Sequence, residues 1–404
     1  MAPRNAGTAT NHSTGCVTNV AADPAATERT AAVAPGRSTA AAVTGAVAVG
    51  EASGSSSAHT GASTTSVSTS ASRYDTSASS GIVGFVLAAA LALVLATTVP
   101  LDVVVLGILV VGALHVALEV RYVYGRHPTI LSGPLLVAAN GVLVAIVAMR
   151  LVAGTSPSTA RLEVLLLAGL VVAAALTRST PSAPARRQWA VVAAVAGGAA
   201  VALAVPGSWF VVQAHLHNLI PLAFLWLWAA EIGDPVRRRR FRTVCVGWAI
   251  VIPAVVLLGA LDPLLGSGGS AAATDLAEGA AVTKGIAPAS LGATWGPRLL
   301  AAFAFAQVLH YATWCWFFPR HAPDATEAFE ARPVGRHLRG LRLPILAAVA
   351  TVGVMVLALA EYRQGRTTYL SIASYHAYLE YPVLVAVAAG ALATGTTPGK
   401  EPTT

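Results

Sequence analysis

Apolar runs alternate with short polar stretches along the chain after residue 80. About 20 apolar residues in a helix are enough to cross the hydrocarbon core of a bilayer. Runs of this length predict about ten membrane-spanning helices, over 81–99, 101–124, 130–152, 160–178, 188–205, 208–231, 242–262, 297–318, 342–361 and 368–393. Only Pro100 separates the first two, which predicts a helical hairpin or one bent element. The pattern therefore predicts an all-α fold, a polytopic transmembrane helical bundle.

The segment before the first run has no apolar period and is rich in Ala, Ser, Thr and Gly. Such a segment buries too little apolar surface to offset the entropy lost on ordering. We therefore expect a disordered low-complexity N-terminal tail over 1–80, a transmembrane domain over 81–393 and a short disordered C-terminal tail over 394–404. The N-terminal tail lacks the apolar core of a secretory signal, so we expect no cleaved leader.

The composition also indicates a membrane protein, because 55% of the residues are hydrophobic and only 11% are charged. Soluble domains carry about 25% charged residues. The net charge of +8 would suit nucleic-acid binding, but most of the excess is arginine between apolar runs, which is the pattern that sets membrane topology. These arginines follow even-numbered spans and are Arg126, Arg178, Arg186, Arg187, Arg237–Arg240, Arg242, Arg320, Arg332, Arg336, Arg339 and Arg342. The positive-inside rule then predicts a multi-pass protein of the cytoplasmic membrane with both termini in the cytoplasm, a lipid bilayer as its partner and no nucleic acid.

Histidines at similar depths in several spans predict a metal site inside the bundle. The second, sixth, eighth and tenth spans run in the same direction and carry His115, His217, His310 and His376. At about 1.5 Å per residue, their depths below the outer surface are roughly 20 Å for His115 and His310, 14 Å for His217 and 12 Å for His376. A charge at the helix centre costs about 2.5–3.5 kcal/mol, so such residues face the bundle interior. Imidazoles from several helices are common ligands of a metal in a bundle core.

Two glutamates accompany these histidines at one spacing. Glu119 follows His115 by four residues and Glu380 follows His376 by four residues, which places each pair on one helix face. A glutamate there can bind the metal or orient an imidazole through a hydrogen bond. Further hydrogen-bonding groups expected around the site are Gln307, Tyr375 and Asn218.

The residues leave three functions open. The favoured one is a metal-dependent oxidoreductase acting on a lipophilic small molecule, with iron or another first-row transition metal as cofactor. Haem b bound by two facing imidazoles is an alternative, as is a proton-coupled transporter that uses the His and Glu side chains as a relay. His215 lies on a different helix face from His217, so we expect it to be a hydrogen-bond partner between helices. The sequence contains no phosphate-binding loop, zinc-protease helix, nucleophile elbow or haem-attachment motif.

The segment His115-Val-Ala-Leu-Glu119 resembles the His-Gly-Ala-Leu-Asp type motif of the bacterial Brp/Blh family of membrane β-carotene 15,15'-dioxygenases, with Glu119 in place of the aspartate. That resemblance implies an all-helical membrane fold with a non-haem iron held by histidines from several spans. It also implies that His115, His217, His310 and His376 are the iron ligands and that the enzyme is an oxygenase.

Overall fold

The structure is a computed structural model that describes residues 65–177, 185–266, 285–286 and 292–390. The expected tail segments at 1–64 and 394–404 lie outside these residues. Every regular element in the described ranges is helical, which confirms the all-α class.

The chain folds into long helices joined by short connections, with π-helical turns inside three of the membrane stretches. The first half contains α1 (Thr65–Thr98), α2 (Pro100–Leu106), α3 (Gly112–Arg126), α4 (Gly133–Ala153), α5 (Pro157–Thr177), α6 (Ala185–Ala204) and α7 (Trp209–Ala229). The second half contains α8 (Pro235–Val246), α9 (Ile252–Leu257), α10 (Gly292–Ala312), α11 (Phe318–His321), α12 (Pro323–Glu330), α13 (Pro333–His337), α14 (Arg342–Ala360) and α15 (Tyr362–Ala389).

Nine stretches among the described residues are long and apolar enough to cross a membrane. They are Ser79–Thr98, Pro100–Arg126, Gly133–Ala153, Pro157–Leu176, Ala185–Ala204, Pro206–Ala229, Pro235–Leu257, Thr294–His321 and Arg342–Ala360. The tenth expected span is helix α15, which has 28 residues but a more polar composition. Its polar side chains include the buried residues His376 and Glu380. Packing against the other helices therefore stabilises α15 inside the bundle, together with its apolar side chains. The protein is therefore a multi-pass membrane protein.

Most helix boundaries agree with the sequence pattern, because apolar run length and proline chemistry determine them locally. Helix α1 ends at Thr98 and α2 begins at Pro100, as expected for a proline in the first helical turn. Helix α1 begins at Thr65 rather than at 81, inside the segment expected to be a tail. Extending an existing helix costs much less than nucleating one, which explains how a polar segment can continue an apolar helix.

The run Arg237–Arg240 lies inside helix α8 and not in a loop, contrary to the placement of arginines in connections. Asp234 caps this helix by accepting a hydrogen bond of 2.8 Å from the Val236 amide. The first turns of helix α8 therefore carry the arginines, and its buried residues Phe241 and Cys245 follow them.

The π-helical turns matter because two of them adjoin predicted site residues. Gly107–Val111 connects α2 to α3 shortly before His115, and Thr313–Phe317 follows His310 at the end of α10. A π turn contains one more residue than an α turn, so it rotates all the side chains that follow relative to an uninterrupted helix. Such turns occur frequently at functional sites.

Candidate metal centre

Four helices that are distant in sequence supply the candidate site. Helix α3 carries His115 and Glu119, and the spacing of four residues places both side chains on one face. Helices α7 and α10 each contribute one histidine, His217 and His310. Helix α15 contributes the second pair with the same spacing, His376 and Glu380.

The four imidazoles and Glu119 converge on one point. His376 Nε2 lies 3.2 Å from His115 Nε2 and 3.1 Å from His217 Nε2. Glu119 Oε2 lies 3.8 Å from both His310 Nε2 and His376 Nε2. One ligand atom from each of the five residues lies within 4.8 Å of every other. Ligand atoms at about 2.0–2.1 Å from one ion are themselves roughly 3–4 Å apart, so this cluster has the dimensions of a coordination sphere.

The polar atoms of the cluster are buried but incompletely satisfied by the described protein atoms. The exposed fraction is 2% for His115, 1% for His310 and 0% for Glu119. Both carboxylate oxygens of Glu119 and Nε2 of His310 have no hydrogen-bond partner in this part of the chain. A buried polar group without a partner costs free energy, and a buried carboxylate is normally paired or bound to a metal. A cation at this point would satisfy these oxygens and the facing imidazole lone pairs together.

Glu380 contacts Nδ1 of His217 and is not one of the five residues whose ligand atoms converge. Its Oε2 accepts a hydrogen bond of 2.9 Å from Nδ1 of His217, and its side chain is fully buried. A carboxylate can only accept here, so the bond places the ring proton on Nδ1 and leaves Nε2 of His217 free to bind a metal. The two His-x-x-x-Glu pairs therefore have different roles despite their identical spacing.

Replacing Glu380 with alanine is expected to weaken metal binding about 10–100-fold, the usual effect of removing a hydrogen-bond partner from a ligating histidine. The Glu380→Gln variant should lose less affinity, because its amide oxygen can still accept from Nδ1 of His217. Competition with a chromophoric chelator measures both dissociation constants. Equal losses in the two variants would contradict the orienting role.

A cavity of about 110 Å³ adjoins the four histidines and provides space for a small molecule beside them. Gln307 and Asn218 line this cavity. Within the described part of the chain, neither side chain hydrogen-bonds to an imidazole nitrogen of the cluster. Gln307 Nε2 donates to the hydroxyl of Tyr311 at 2.8 Å, and the Tyr311 ring lies 4.6 Å from the ring of His115. Tyr311 therefore lies beside the cluster.

Tyr375 and His215 make hydrogen bonds to residues outside the histidine cluster. The Tyr375 hydroxyl donates to Asn140 Oδ1 at 2.6 Å and lies 2.8 Å from the Tyr124 hydroxyl, which ties α15 to α3 and α4. His215 Nε2 lies 3.0 Å from the carbonyl oxygen of Ile286, so it joins α7 to a connecting segment, as expected for a residue on the other face. Tyr375 thus supports the position of α15 and does not hydrogen-bond to a histidine.

A second buried polar group, formed by Arg150, Glu163 and Tyr378, was missed by the sequence analysis. Arg150 donates to both oxygens of Glu163, at 2.8 Å through Nε and 2.7 Å through Nη2. The Tyr378 hydroxyl donates to Glu163 Oε2 at 2.7 Å. The available signal was one arginine at the end of the third apolar run and one glutamate near the start of the fourth, since charges inside consecutive spans usually pair.

Comparisons with known proteins give no match to a protein-family model, to a curated protein or to a solved structure. The functional argument therefore depends on the geometry of the site.

Proposed function

We propose that the protein is a metal-dependent oxidoreductase that acts on a lipophilic substrate within the membrane. The observation that carries this proposal is the convergence of four imidazoles and one carboxylate from four helices, four of the five residues buried and His217 partly buried. Building such a cluster inside an apolar bundle is costly, and intramembrane ionisable residues are usually retained for function.

The donor set favours a first-row transition metal, and we propose iron. Imidazole nitrogens together with a carboxylate oxygen are ligands typical of non-haem iron sites. His115, His217, His310, His376 and Glu119 would hold the ion. When bound, iron would supply redox chemistry with molecular oxygen. The resemblance to the Brp/Blh family implies the same four histidines as iron ligands.

Residues around the proposed iron would orient a ligand and form the space for the substrate. Glu380 holds the tautomer of His217, and the surrounding helices bury most of the cluster. The small cavity beside the histidines admits the reacting part of a substrate. A lipophilic molecule suits this location because it concentrates in the bilayer that surrounds the bundle. We further propose that the arginine-rich ends of the helices face the cytoplasm, according to the positive-inside rule.

Two other functions use the same residues. A haem b protein binds its iron between two facing imidazoles, whereas here His115 and His217 both approach His376 Nε2 within 3.2 Å. That arrangement fits a single ion better than a macrocycle. A proton relay needs ionisable groups in contact, which the cluster also supplies, so the metal content must distinguish these functions.

Elemental analysis of the full-length protein, purified from membranes in detergent, tests the proposal. We expect near-stoichiometric iron and no haem absorption band. Another first-row metal in the same amount would retain the site and change the cofactor. Haem absorption would support electron transfer instead, and protein that binds no added metal would support the proton relay.

A further inference from the structure

A groove lies where the last turn of helix α7 meets the first turns of α8. Its volume is about 550 Å³. Arg238, Arg239 and Arg242 of α8 line it, together with Trp226 from the end of α7. It shares no lining residue with the cavity at the histidines. The groove therefore brings three guanidinium groups and one indole together at a place distinct from the metal centre.

No carboxylate in the described ranges neutralises the positive charge of this groove. Asp234 forms an ion pair with Nε of Arg237 at 3.3 Å, and Arg237 does not line the groove. Arg238 and Arg242 are four residues apart on α8, and like charges at this spacing destabilise a helix. An anion bound between them would offset that repulsion, so the groove is complementary to negative charge.

Two of the arginines are held in position by neutral groups. Nε of Arg238 donates to the carbonyl oxygen of Ile232 at 3.1 Å. Nη2 of Arg242 donates to the carbonyl oxygen of Trp226 at 3.2 Å, and its guanidinium carbon lies 4.4 Å from the centre of the Trp226 ring. A guanidinium has five N–H groups, so each arginine keeps further donors for a ligand. These contacts orient the arginines and leave their charge uncompensated.

The other end of the groove is apolar. Val246 and Val251 line it, and Val251 is 53% exposed. Gly247 also lines this end, and a Cβ added there would meet no atom within 4 Å, so the space beside it is open. Val251 lies about 20 Å from Arg238 along the helix direction, at roughly 1.5 Å per residue. A basic end and an apolar end at this separation suit the head group and the upper acyl chain of a phospholipid.

The level of the groove in the membrane supports the same ligand. Helix α8 opens the membrane-crossing stretch Pro235–Leu257, and Trp226 lies near the end of the stretch Pro206–Ala229. Tryptophan is enriched at the boundary between hydrocarbon and water, which is also the level of the lipid head groups. Basic pockets between membrane helices at this level bind anionic head groups.

We propose that this groove binds an anionic phospholipid, with its phosphate among Arg238, Arg239 and Arg242 and one acyl chain along Val246 and Val251. Guanidinium groups bind phosphate oxygens through paired, charge-assisted hydrogen bonds. A zwitterionic lipid carries the same phosphate together with a cation that the arginines repel. The site therefore selects a lipid with net negative charge, and this selection does not depend on the proposed oxidoreductase function.

The test is native mass spectrometry of the purified full-length protein in detergent, titrated with dioleoyl phosphatidylglycerol or dioleoyl phosphatidylcholine. The dissociation constant of the first bound lipid is measured for each. We expect the anionic lipid to bind about tenfold more tightly than the zwitterionic one. Arg239→Gln/Arg242→Gln should weaken binding of the anionic lipid roughly 25-fold, about fivefold for each arginine.

Matched variants separate this groove from a general effect of charge. Arg237→Gln/Arg240→Gln removes the same charge from the same helix, but neither residue lines the groove, so binding should weaken by less than about threefold. Gly247→Leu keeps every charge and fills the apolar end, which should weaken the anionic lipid at least about fivefold. Gly141→Leu is its control, because a Cβ there also meets no atom within 4 Å but Gly141 lies in α4. It should bind the lipid like the wild type.

Equal affinities for the two lipids, or equal losses in the two double arginine variants, would overturn the proposal and leave only a non-specific basic surface. Wild-type binding by Gly247→Leu would show that no acyl chain lies in the groove and would also overturn it. Displacement of phosphatidylglycerol by an equal concentration of inorganic phosphate would identify a free anion as the ligand and overturn the assignment to a lipid.

Discussion

Replacing His376 with alanine is expected to abolish most metal binding, a larger loss than replacing Glu380 would cause. His376 Nε2 lies within 3.2 Å of the corresponding atoms of His115 and His217 and 3.8 Å from Glu119 Oε2. It therefore occupies the middle of the cluster. Its removal takes away a ligand and leaves a gap between the other donors. We expect the affinity to fall by more than the roughly 10–100-fold associated with an orienting residue.

The measurement is the metal-to-protein ratio after dialysis against a competing chelator. Alanine variants of His115, His217 and His310 should behave like His376→Ala. His215→Ala is the matched control, because its Nε2 lies 3.0 Å from the carbonyl oxygen of Ile286 and not at the cluster. Retention of the metal in all four ligand variants, or equal loss in His215→Ala, would exclude this site.

Replacing Arg150 with methionine is expected to destabilise the protein by about 3–5 kcal/mol, the usual cost of removing one partner from a buried ion pair. The side chains of Arg150 and Glu163 are only 7% and 0% exposed. Without Arg150, the Tyr378 hydroxyl would be the one hydrogen-bond partner left to the Glu163 carboxylate among the residues that the structure describes. Reversible unfolding in mixed micelles measures the change in the free energy of unfolding.

The double variant Arg150→Met/Glu163→Leu should recover most of this loss, because it removes the buried charge as well as its partner. The exposed pair Arg339–Glu330 provides the control. Its atoms Nε and Oε2 are 3.7 Å apart and the Arg339 side chain is 66% exposed, so Arg339→Met should cost less than about 1 kcal/mol. A double variant no more stable than Arg150→Met would argue against an ion pair as the cause.

The same group supports the position of a helix that contributes to the candidate metal centre. Arg150 Nη2 donates to the Tyr378 hydroxyl at 2.9 Å, and Nη1 donates to the carbonyl oxygen of Leu370 at 3.3 Å. Both partners belong to α15, the helix that carries His376. Arg150 also lines the cavity beside the histidines. The ion pair therefore fixes α4 and α5 against the helix that contributes the central ligand.

The sequence by itself determined the features that depend on short stretches of chain. The lengths of the apolar runs defined the helices, since each helix must cover the hydrocarbon thickness with its own residues. Pro100 separated α1 from α2 because proline begins a helix readily. The spacing of His115 from Glu119 placed both on one face, because helical periodicity is local. Similar depths on parallel spans also indicated that the four histidines would meet.

Only the tertiary structure decided how equivalent residues differ. Glu119 and Glu380 have the same spacing from a histidine, yet Glu119 belongs to the group of converging ligand atoms whereas Glu380 hydrogen-bonds to Nδ1 of His217. Tyr375 adjoins His376 in sequence but pairs with Asn140 on another helix. These outcomes depend on how each helix is rotated against neighbours that are distant in sequence, and the π-helical turns change that rotation. Side-chain partners across helices are set by this packing, which the pattern along a single span does not contain.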